Sequence, residues 1–461
     1  MFHLLFNLVR ILKIISRQQI LTHSEGIKLP KIVKIFGQLS VFIFYPLGIV
    51  RKPKEAFGKR LTNCCKQLGP IYIKFGQSLS TRPDLVGIKV TKYLQTLQDR
   101  LPPFDSNIAK HLIFQNFQQN TQQLFLNFDE IPIAAASISQ VHKAQLTTGE
   151  MVAVKILRPG IHYKYNKDIK LLYFLAKMAS KTLVKFKRLR PLAIVKVFHE
   201  TMKFELDLRL EAAAASELRD NFSKDPSVYI PKIYWQLTSE NILTTEWVSG
   251  VSIYNTQELL ALGLNLSLIA QKFAVMFFNQ AYRDGFFHAD LHPGNILVNI
   301  DGTIILLDFG IMGRISDSDR LSIAESLFGF LRKNYMLVAR VHLRAGYIPQ
   351  NTNLELFAQS CRAVAEPITG VLTKNISIGK LLAQLFKITE DFGMEVQPQL
   401  LLLQKTIVMV EGVGQQLDPE INMWQLAEPW IKKWAAKNLS PEAKILRIAQ
   451  HFISELLERI K

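Results

Sequence analysis

His288-Ala289-Asp290-Leu291-His292-Pro293-Gly294-Asn295, followed one short hairpin later by Asp308-Phe309-Gly310, is the stretch on which the reading of this chain turns. Between the two, Ile296–Val298 and Ile304–Leu307 flank Asp301-Gly302, a dipeptide that favours the tight turn of a β-hairpin. An aspartate, an asparagine five residues on and a second aspartate ahead of a glycine are what phosphoryl transfer asks of a protein. Asp290 can orient an attacking hydroxyl or water, while Asn295 and Asp308 can hold Mg²⁺ against a triphosphate. Magnesium suits hard oxygen ligands and keeps some of its waters, so few protein groups are needed. A lone Asp-Phe-Gly has almost no weight, but the pair at this spacing is specific. A metal-hydrolase reading of His288-x-Asp290-x-His292 leaves Asn295 and Asp308 without a role, and a loop histidine is more often a hydrogen-bonding strut.

Upstream, Met151-Val152-Ala153-Val154-Lys155-Ile156 sets a lysine in a hydrophobic strand, where an unpaired ammonium is costly. For an isolated case, an edge-strand lysine pointing to water is the default. Here nucleotide phosphates and a helical carboxylate would satisfy it. The sequence predicts one helix over Phe198–Asp220, in which Asp207 and Glu211 share a face and Ala212–Ala215 leave room for close packing. Glu211 is the expected partner of Lys155, with Glu205 in reserve; a solvated acidic helix face is the plain alternative.

The 461 residues have room for two or three lobes with a real core. A 48% hydrophobic content is ordinary for a globular chain, and 23 glycines and 19 prolines are too few for a linker, which excludes disorder. Three cysteines, two of them adjacent, exclude a disulfide framework and fit a reducing compartment, and no Cys/His spacing supports zinc. The formal charge of +18 needs an anionic partner. Residues 1–60 hold eleven Lys/Arg against Glu25 and Glu55, a balance of +9, half the total. These cations alternate with long aliphatic side chains rather than stacking aromatics, which favours an anionic membrane surface and argues against nucleic acid. His3, Asn7, Arg10, Lys13 and Arg17 form one polar stripe on an otherwise apolar helix. Such a helix either lies in a membrane interface or docks on its own protein. The longest uncharged apolar run, Ile35–Val50, falls short of the roughly 20 residues that span a bilayer. Pro46 and Gly48 interrupt it, so it is expected to be interfacial or buried, and no transmembrane helix is expected.

The texture of the chain changes near residue 130. Lys54–Asn127 reads helical, then Ile138–Leu146 and Met151–Leu157 read as a hairpin around Thr147-Thr148-Gly149-Glu150. Helices follow at about 165–186 and 192–219, then strands at Lys232–Leu237 and Asn241–Trp247, and from Ile253 the pattern is almost wholly helical apart from the Asp301-Gly302 hairpin. The expected organisation is a basic, membrane-proximal segment over 1–54, a helical extension over 55–130, a small β-rich lobe over 131–250 and a helical lobe over 251–461.

Three further motifs stand out: Lys74-Phe75-Gly76-Gln77, Glu205-Leu206-Asp207, and Ala134-Ala135-Ala136-Ser137-Ile138-Ser139-Gln140-Val141-His142-Lys143-Ala144. Over roughly residues 55–315 the chain resembles the protein-kinase-like superfamily and, within it, the UbiB atypical kinases associated with coenzyme Q biosynthesis. The three motifs look like that family's Lys-x-Gly-Gln, its Glu-x-Asp and the alanine-rich loop that replaces a glycine-rich one. Alanine gives up positive φ, so such a loop is stiffer and holds nucleotide differently. After Asp308-Phe309-Gly310 the chain runs through Ile311–Arg314 into a helical pattern by Asp319, with no activation segment and no Ala-Pro-Glu. That favours a small-molecule kinase or an ATPase over a protein kinase.

The resemblance implies an α+β, protein-kinase-like bilobal fold with a helical N-terminal extension, acting with ATP and Mg²⁺. Asp290 and Lys155 would be catalytic and Asn295 and Asp308 would hold the metal. Nucleotide contacts would come from Ala134, Ala135, Ala136, Ser137, Ile138, Ser139, Gln140, Val141, Lys155 and Glu211, and from Glu246 and Val248 in a hinge at Thr245–Val248. Lys74, Gln77, Glu205 and Asp207 would be regulatory, the first motif lying over the nucleotide site against the second. The implied activity is that of an ATP-binding kinase or ATPase supporting ubiquinone biosynthesis. Its implied partners are a lipid or quinone-precursor small molecule and other ubiquinone-biosynthesis proteins, and its implied place is peripheral, on the cytoplasmic side of the inner membrane. A soluble phosphotransferase of the aminoglycoside or choline kinase sort and a non-catalytic lipid-binding scaffold are the alternatives. Bacterial members of the family often end in spanning helices, whereas Trp424–Lys461 here carries Lys432, Lys433, Lys437, Lys444 and Arg447 beside a seam of Leu446, Ala449, Ile453, Leu456 and Ile460. Membrane contact is therefore expected from the amino terminus or from the basic run Lys177–Arg190.

Overall fold

The computed structural model describes residues 2–23, 31–45, 53, 55–80, 86–97, 101–182, 191–369 and 398–422, with isolated positions between 382 and 436. The strands, in chain order, are β1 (Phe125–Phe128), β2 (Ala134–Ala135), β3 (Ser139–Leu146), β4 (Met151–Leu157), β5 (Val228–Tyr229), β6 (Ile242–Glu246), β7 (Val251–Ser252), β8 (Phe286–His288), β9 (Ile296–Val298), β10 (Ile304–Leu306) and β11 (Met312–Arg314). Two units divide the chain: Met1–Ala212 with Ile233–Trp247, and Ala213–Lys232 with Val248–Lys461.

In the first unit β1, β3, β4 and β6 form an antiparallel sheet in that order, with β2 pairing β3. Alternation in β4 sends Val152, Val154 and Ile156 into the core and leaves Lys155 on the opposite face. Their core partners include Ala144, Leu146 and Ile242 from the sheet and Ala109 and Ile113 from the helix Ser106–Phe117. Asp105 caps that helix by accepting from the Asn107 N–H, and Gln118 ends it in the left-handed region at φ 55°. Each large aliphatic side chain buried this way contributes about 1.5–3 kcal/mol. Gly149 supplies the positive φ of 93° that turns the β3–β4 hairpin.

Among the described residues, seven helices precede this sheet: Phe2–Arg17, Lys31–Phe44, Phe57–Leu68, Pro70–Ser80, Ile88–Leu94, Ser106–Phe117 and Thr121–Leu124. The first is docked on its own protein. Ile11, Ser16 and Ile20 are buried, and the Arg10 guanidinium donates to the Leu68 carbonyl at 2.9 Å. Arg60, itself buried, donates to the Gln18 and Gln19 carbonyls at 2.7 and 2.8 Å and also to the His23 carbonyl, so a cation satisfies the orphan acceptors beyond the helix end. Arg10, though bonded to that carbonyl, stays exposed, as do Lys13 and Arg17. The second helix packs on the first through Ser16 Oγ donating to Ser40 Oγ at 2.7 Å and through Gly37, where a Cβ would meet Leu21 at 2.7 Å.

Other expectations are corrected. The helix expected over Phe198–Asp220 is two, Pro191–Glu205 and Leu208–Asn221, because Asp207 forms a local turn between them. Lys232–Leu237 is no strand: only Ile233 bridges to Thr245, and Trp235–Leu237 is a 3₁₀ turn. The helical texture ends earlier than Asn127, since Phe125–Phe128 is β1. Pro46–Val50, most of Lys177–Arg190 beyond Thr182 and the Leu446–Ile460 seam lie outside the described residues.

In the second unit β5, β10, β9 and β7 form one sheet, with β10 parallel to β5, and β8 pairs β11. The Asp301-Gly302 hairpin expected from sequence joins β9 to β10, with Gly302 at φ 78°. The helices are Thr256–Ala261, Leu266–Phe278, Asp317–Leu331, Tyr335–Arg344, Leu354–Thr369 and Pro398–Leu417. Among the described residues, no helix is long and apolar enough to cross a membrane.

His342, buried in Tyr335–Arg344 between Tyr347 and Phe357, gives this unit a pH signature. Burial lowers its pKa from 6.5 to about 4. A histidine with a depressed folded-state value binds fewer protons folded than unfolded, so its neutral form's stability is complete above about pH 6.5 and is lost as pH falls toward about 4. The loss amounts to about 3 kcal/mol. Denaturant unfolding from pH 7.5 to 4.5 is expected to show a midpoint falling below pH 6.5 in the parent and a shallower fall in His342→Phe; identical slopes would remove His342 as the cause.

Candidate functional site

Two sets of candidate functional residues are assembled, one in each unit. In the first, Lys155 Nζ lies 2.8 and 2.9 Å from the two oxygens of Glu211. The pair is largely sheltered, the lysine 17% and the glutamate 6% exposed, where a charge-assisted bond is stronger than at the surface. Glu211 stands in the first turn of Leu208–Asn221, and the fully buried Ala212 and Ala215 let that helix approach closely. Asp207 does not share its face. The Asp207 carboxylate accepts from the Arg209 N–H at 3.1 Å and from its guanidinium at 2.9 and 2.8 Å, which holds Asp207 below the usual carboxylate range. Glu205, the reserve partner for Lys155, instead meets Lys74 Nζ at 3.0 Å.

Lys74 belongs to the helix Pro70–Ser80, whose fit explains the rest of its motif. Gly76 is needed because a Cβ there would stand 2.5 Å from Leu97 and 3.1 Å from the Cys65 sulfur. The Gln77 amide donates to the Leu97 carbonyl at 3.1 Å. Cys64 and Cys65 are buried, which pushes both thiols up to about 12 and leaves them unreactive.

The alanine segment is more ordered than a loop. Ala134 and Ala135 form β2, paired with Val141 and Gln140, and Ala136–Ser139 is a tight turn whose Ala136 carbonyl accepts from Arg158 at 2.8 Å. Ser137, Ile138, Ser139 and Gln140 are buried. The Gln140 amide accepts from the Phe104 N–H at 2.9 Å and donates to the Phe104 carbonyl at 3.2 Å, so its side chain ties β3 to the segment ahead of the helix Ser106–Phe117. At the expected hinge, β6 ends with Glu246, the Trp247 N–H donates to the Met151 carbonyl at 2.9 Å, and Trp247–Gly250, including Val248, has no regular structure.

In the second unit the catalytic-loop sequence is built around His288. This ring is fully buried, and burial keeps it neutral by lowering its pKa. Its Nε2 lies 3.0 Å from the Leu307 carbonyl, which can only accept, so Nε2 carries the proton. Its Nδ1 then accepts the Asp290 N–H at 3.2 Å. One imidazole thereby fixes both Asp290 and the residue before Asp308. Phe309 stacks edge-on against the same ring, with centroids 5.6 Å apart. These contacts occupy both nitrogens of His288, so the alternative metal-hydrolase reading loses a ligand. His292 Nδ1 accepts from the Gly294 N–H at 3.0 Å, and its Nε2 is 3.8 Å from Asp290 Oδ2.

Asn295 and Asp308 suit magnesium chemically. The Asn295 amide NH₂ donates to the Asp290 carbonyl at 3.0 Å, which leaves its carbonyl oxygen as the atom for a cation. Asp308 is held in the left-handed region at φ 58°, a conformation aspartate tolerates and one that recurs where a chain is shaped for function. Among the described residues no cluster of three or more His, Cys, Asp or Glu could hold a metal alone. The pair therefore fits an ion that completes its shell with water and phosphate.

Gln280 carries no signature in the sequence. It sits in a π-helical turn, Asn279–Asp284, is fully buried, and accepts the His288 N–H at 2.8 Å. An isolated glutamine carries no pattern; a π-turn next to a catalytic loop is the sort of irregularity that marks functional sites.

Comparison with known proteins follows the same lines. The family described as "ABC1 atypical kinase-like domain" matches residues 96–342, and "UbiB helical domain" matches residues 361–422. A Marinobacter nauticus protein named "Probable protein kinase UbiB" is 40% identical across 98% of this chain and 82% of its own length. A Pseudomonas fluorescens protein of the same name is 38% identical across 97% and 84%. The solved structure described as "The complex structure of Rv3197-erythromycin from Mycobacterium tuberculosis" superposes with a TM-score of 0.54 at 23% identity, covering 77% of this chain and 90% of that one. The α+β, kinase-like fold read from the sequence is the fold found.

Proposed function

The chain belongs to the ABC1/UbiB atypical kinase family, and from that premise we propose that it binds ATP with Mg²⁺ and turns over the γ-phosphoryl group, as ATPase or small-molecule kinase, in support of ubiquinone biosynthesis. The bidentate contact of Lys155 with Glu211 carries this reading. An ammonium fixed on a strand by a helical carboxylate is prepared to meet nucleotide phosphates without reorganising. Asp290 orients the attacking oxygen, its backbone held by His288. Asn295 and Asp308 would hold the magnesium, which when bound neutralises charge on the phosphates.

A small acceptor is favoured over a protein because only β11 lies between Gly310 and the helix starting at Asp317, paired to β8 rather than forming a peptide platform. Lys74 and Glu205 would regulate access, and a phenolic quinone precursor is the acceptor or activator. The test is ATP turnover by the purified full chain with and without Mg²⁺ and such a precursor, followed by ADP release and phosphorus NMR. Magnesium-dependent turnover that rises with the precursor is expected. Absence of both ATP binding and turnover in every arm overturns the reading.

A further inference from the structure

Four hydrogen bonds close a ring around the loop that carries Asp290. The Asp290 N–H donates to His288 Nδ1 at 3.2 Å, and His288 Nε2 donates to the Leu307 carbonyl at 3.0 Å. The Leu307 N–H donates to the Asn295 carbonyl at 2.9 Å, and the Asn295 amide returns to the Asp290 carbonyl at 3.0 Å. Such a ring fixes its members relative to one another and leaves open where the whole stands. Gln280 is the side chain that ties it to a helix: its Oε1 accepts the His288 N–H at 2.8 Å.

Gln280 reaches that position because the helix changes pitch beneath it. Leu266–Phe278 is α-helical and Asn279–Asp284 is a π-turn, which takes more residues per turn and so re-aims the side chains it holds. Gly285 ends the turn at φ 68°. The Arg320 guanidinium donates to the Tyr282 and Arg283 carbonyls, which at a helix end lack partners within it. A polar side chain is costly in this place. Gln280 is fully buried, as are its neighbours Phe277, Phe278, Ala281 and Tyr282, and its Nε2 finds no protein partner among the described residues. A buried orphan donor destabilises, so packing alone would favour an apolar residue of the same length.

We propose that Gln280 is a positioning residue for phosphoryl transfer, setting through His288 where the Asp290 carboxylate stands. The role rests on the ATP reading above. Gln280 acts on the backbone of His288, and the His288 ring acts on the backbone of Asp290. A small displacement of a group that orients the attacking oxygen lowers the rate far more than it weakens nucleotide binding. Methionine at 280 would orphan the His288 N–H but would also remove the orphaned Nε2, so the two changes largely offset in stability. Activity has no such offset.

The test compares the full chain with its Gln280→Met and Gln280→Glu variants. Methionine keeps the length and removes the acceptor. Its melting temperature is expected within about 3 °C of the parent's, its KM for ATP within about twofold, and its kcat lower by about tenfold to thirtyfold. Hydrogen exchange followed by mass spectrometry over residues 286–291 should quicken about tenfold, because the His288 N–H has lost its acceptor. Glutamic acid restores an acceptor while it is neutral, which burial favours. The ratio of its kcat to the parent's should therefore approach unity near about pH 6 and fall toward about pH 9, where a buried carboxylate would draw a proton onto His288 Nδ1 and displace the Asp290 N–H. A role in stability alone predicts neither the split between KM and kcat nor this pH dependence. A folded Gln280→Met with parental kcat, equal losses in both variants at every pH, or unchanged exchange over 286–291 overturns the proposal. A parent that turns over no ATP overturns the ATP reading and this role together, whereas those three results leave the ATP reading intact.

Discussion

Asp308→Asn is expected to lower Mg²⁺-dependent ATP turnover by about a hundredfold or more while the fold survives. Asparagine is the substitution that isolates charge, because it shares aspartate's tolerance of the left-handed conformation that this position adopts at φ 58°. The side chain keeps one oxygen and nearly the same volume. What it loses is the negative charge that draws a divalent cation to the triphosphate, which Asn295, being neutral, cannot replace. The measurement is kcat against magnesium concentration for parent and variant, with thermal unfolding as the control. Turnover and magnesium dependence equal to the parent's, in a folded variant, would remove Asp308 from the metal site.

His288→Phe should produce the second large effect, and on stability as well as activity. Phenylalanine retains the buried ring that packs against Phe309, but it offers neither a proton to the Leu307 carbonyl nor a lone pair to the Asp290 N–H. Two half-buried backbone groups are then left unpaired, at about 1–3 kcal/mol each if fully shielded, so the unit should lose about 2–4 kcal/mol. Turnover should fall further than stability requires, because Asp290 and the approach to Asp308 lose their common strut. Denaturant unfolding and kcat at a temperature where both proteins are folded separate the two. A variant with parental turnover would show that the imidazole fills space and nothing more.

Much of this was legible in the chain. Alternation in Met151–Leu157 and the turn pairs Thr148-Gly149 and Asp301-Gly302 placed both hairpins, since local turn chemistry and period-two burial agree there. Glu211 is legible as the partner of Lys155 because a lysine in an apolar strand needs an anion. The break at Leu206–Asp207 was not legible: the apolar spacing runs through it unchanged, and only the Asp207–Arg209 bonds and the Leu208 N–H to the Glu240 carbonyl reveal it. The Arg10 contact was not legible either, because a cation on a polar stripe looks the same whatever its guanidinium meets. Residues 361–422 read as one more stretch of helical lobe, while comparison sets them apart as a helical domain.

The break between the two helices also separates two decisions that a continuous helix would tie together. On one rigid rod, Glu205 and Glu211 are six residues apart and point in directions about 120° away from each other, and any rotation that re-aims one re-aims the other. With the Asp207 turn between them, each acid answers to its own lysine: Glu205 to Lys74 and Glu211 to Lys155. Releasing the first pair need not drag the second, so substitution at Lys74 or Glu205 can change one ion pair without moving Lys155 and Glu211. A chain built this way can vary at one ion pair while the other stands still.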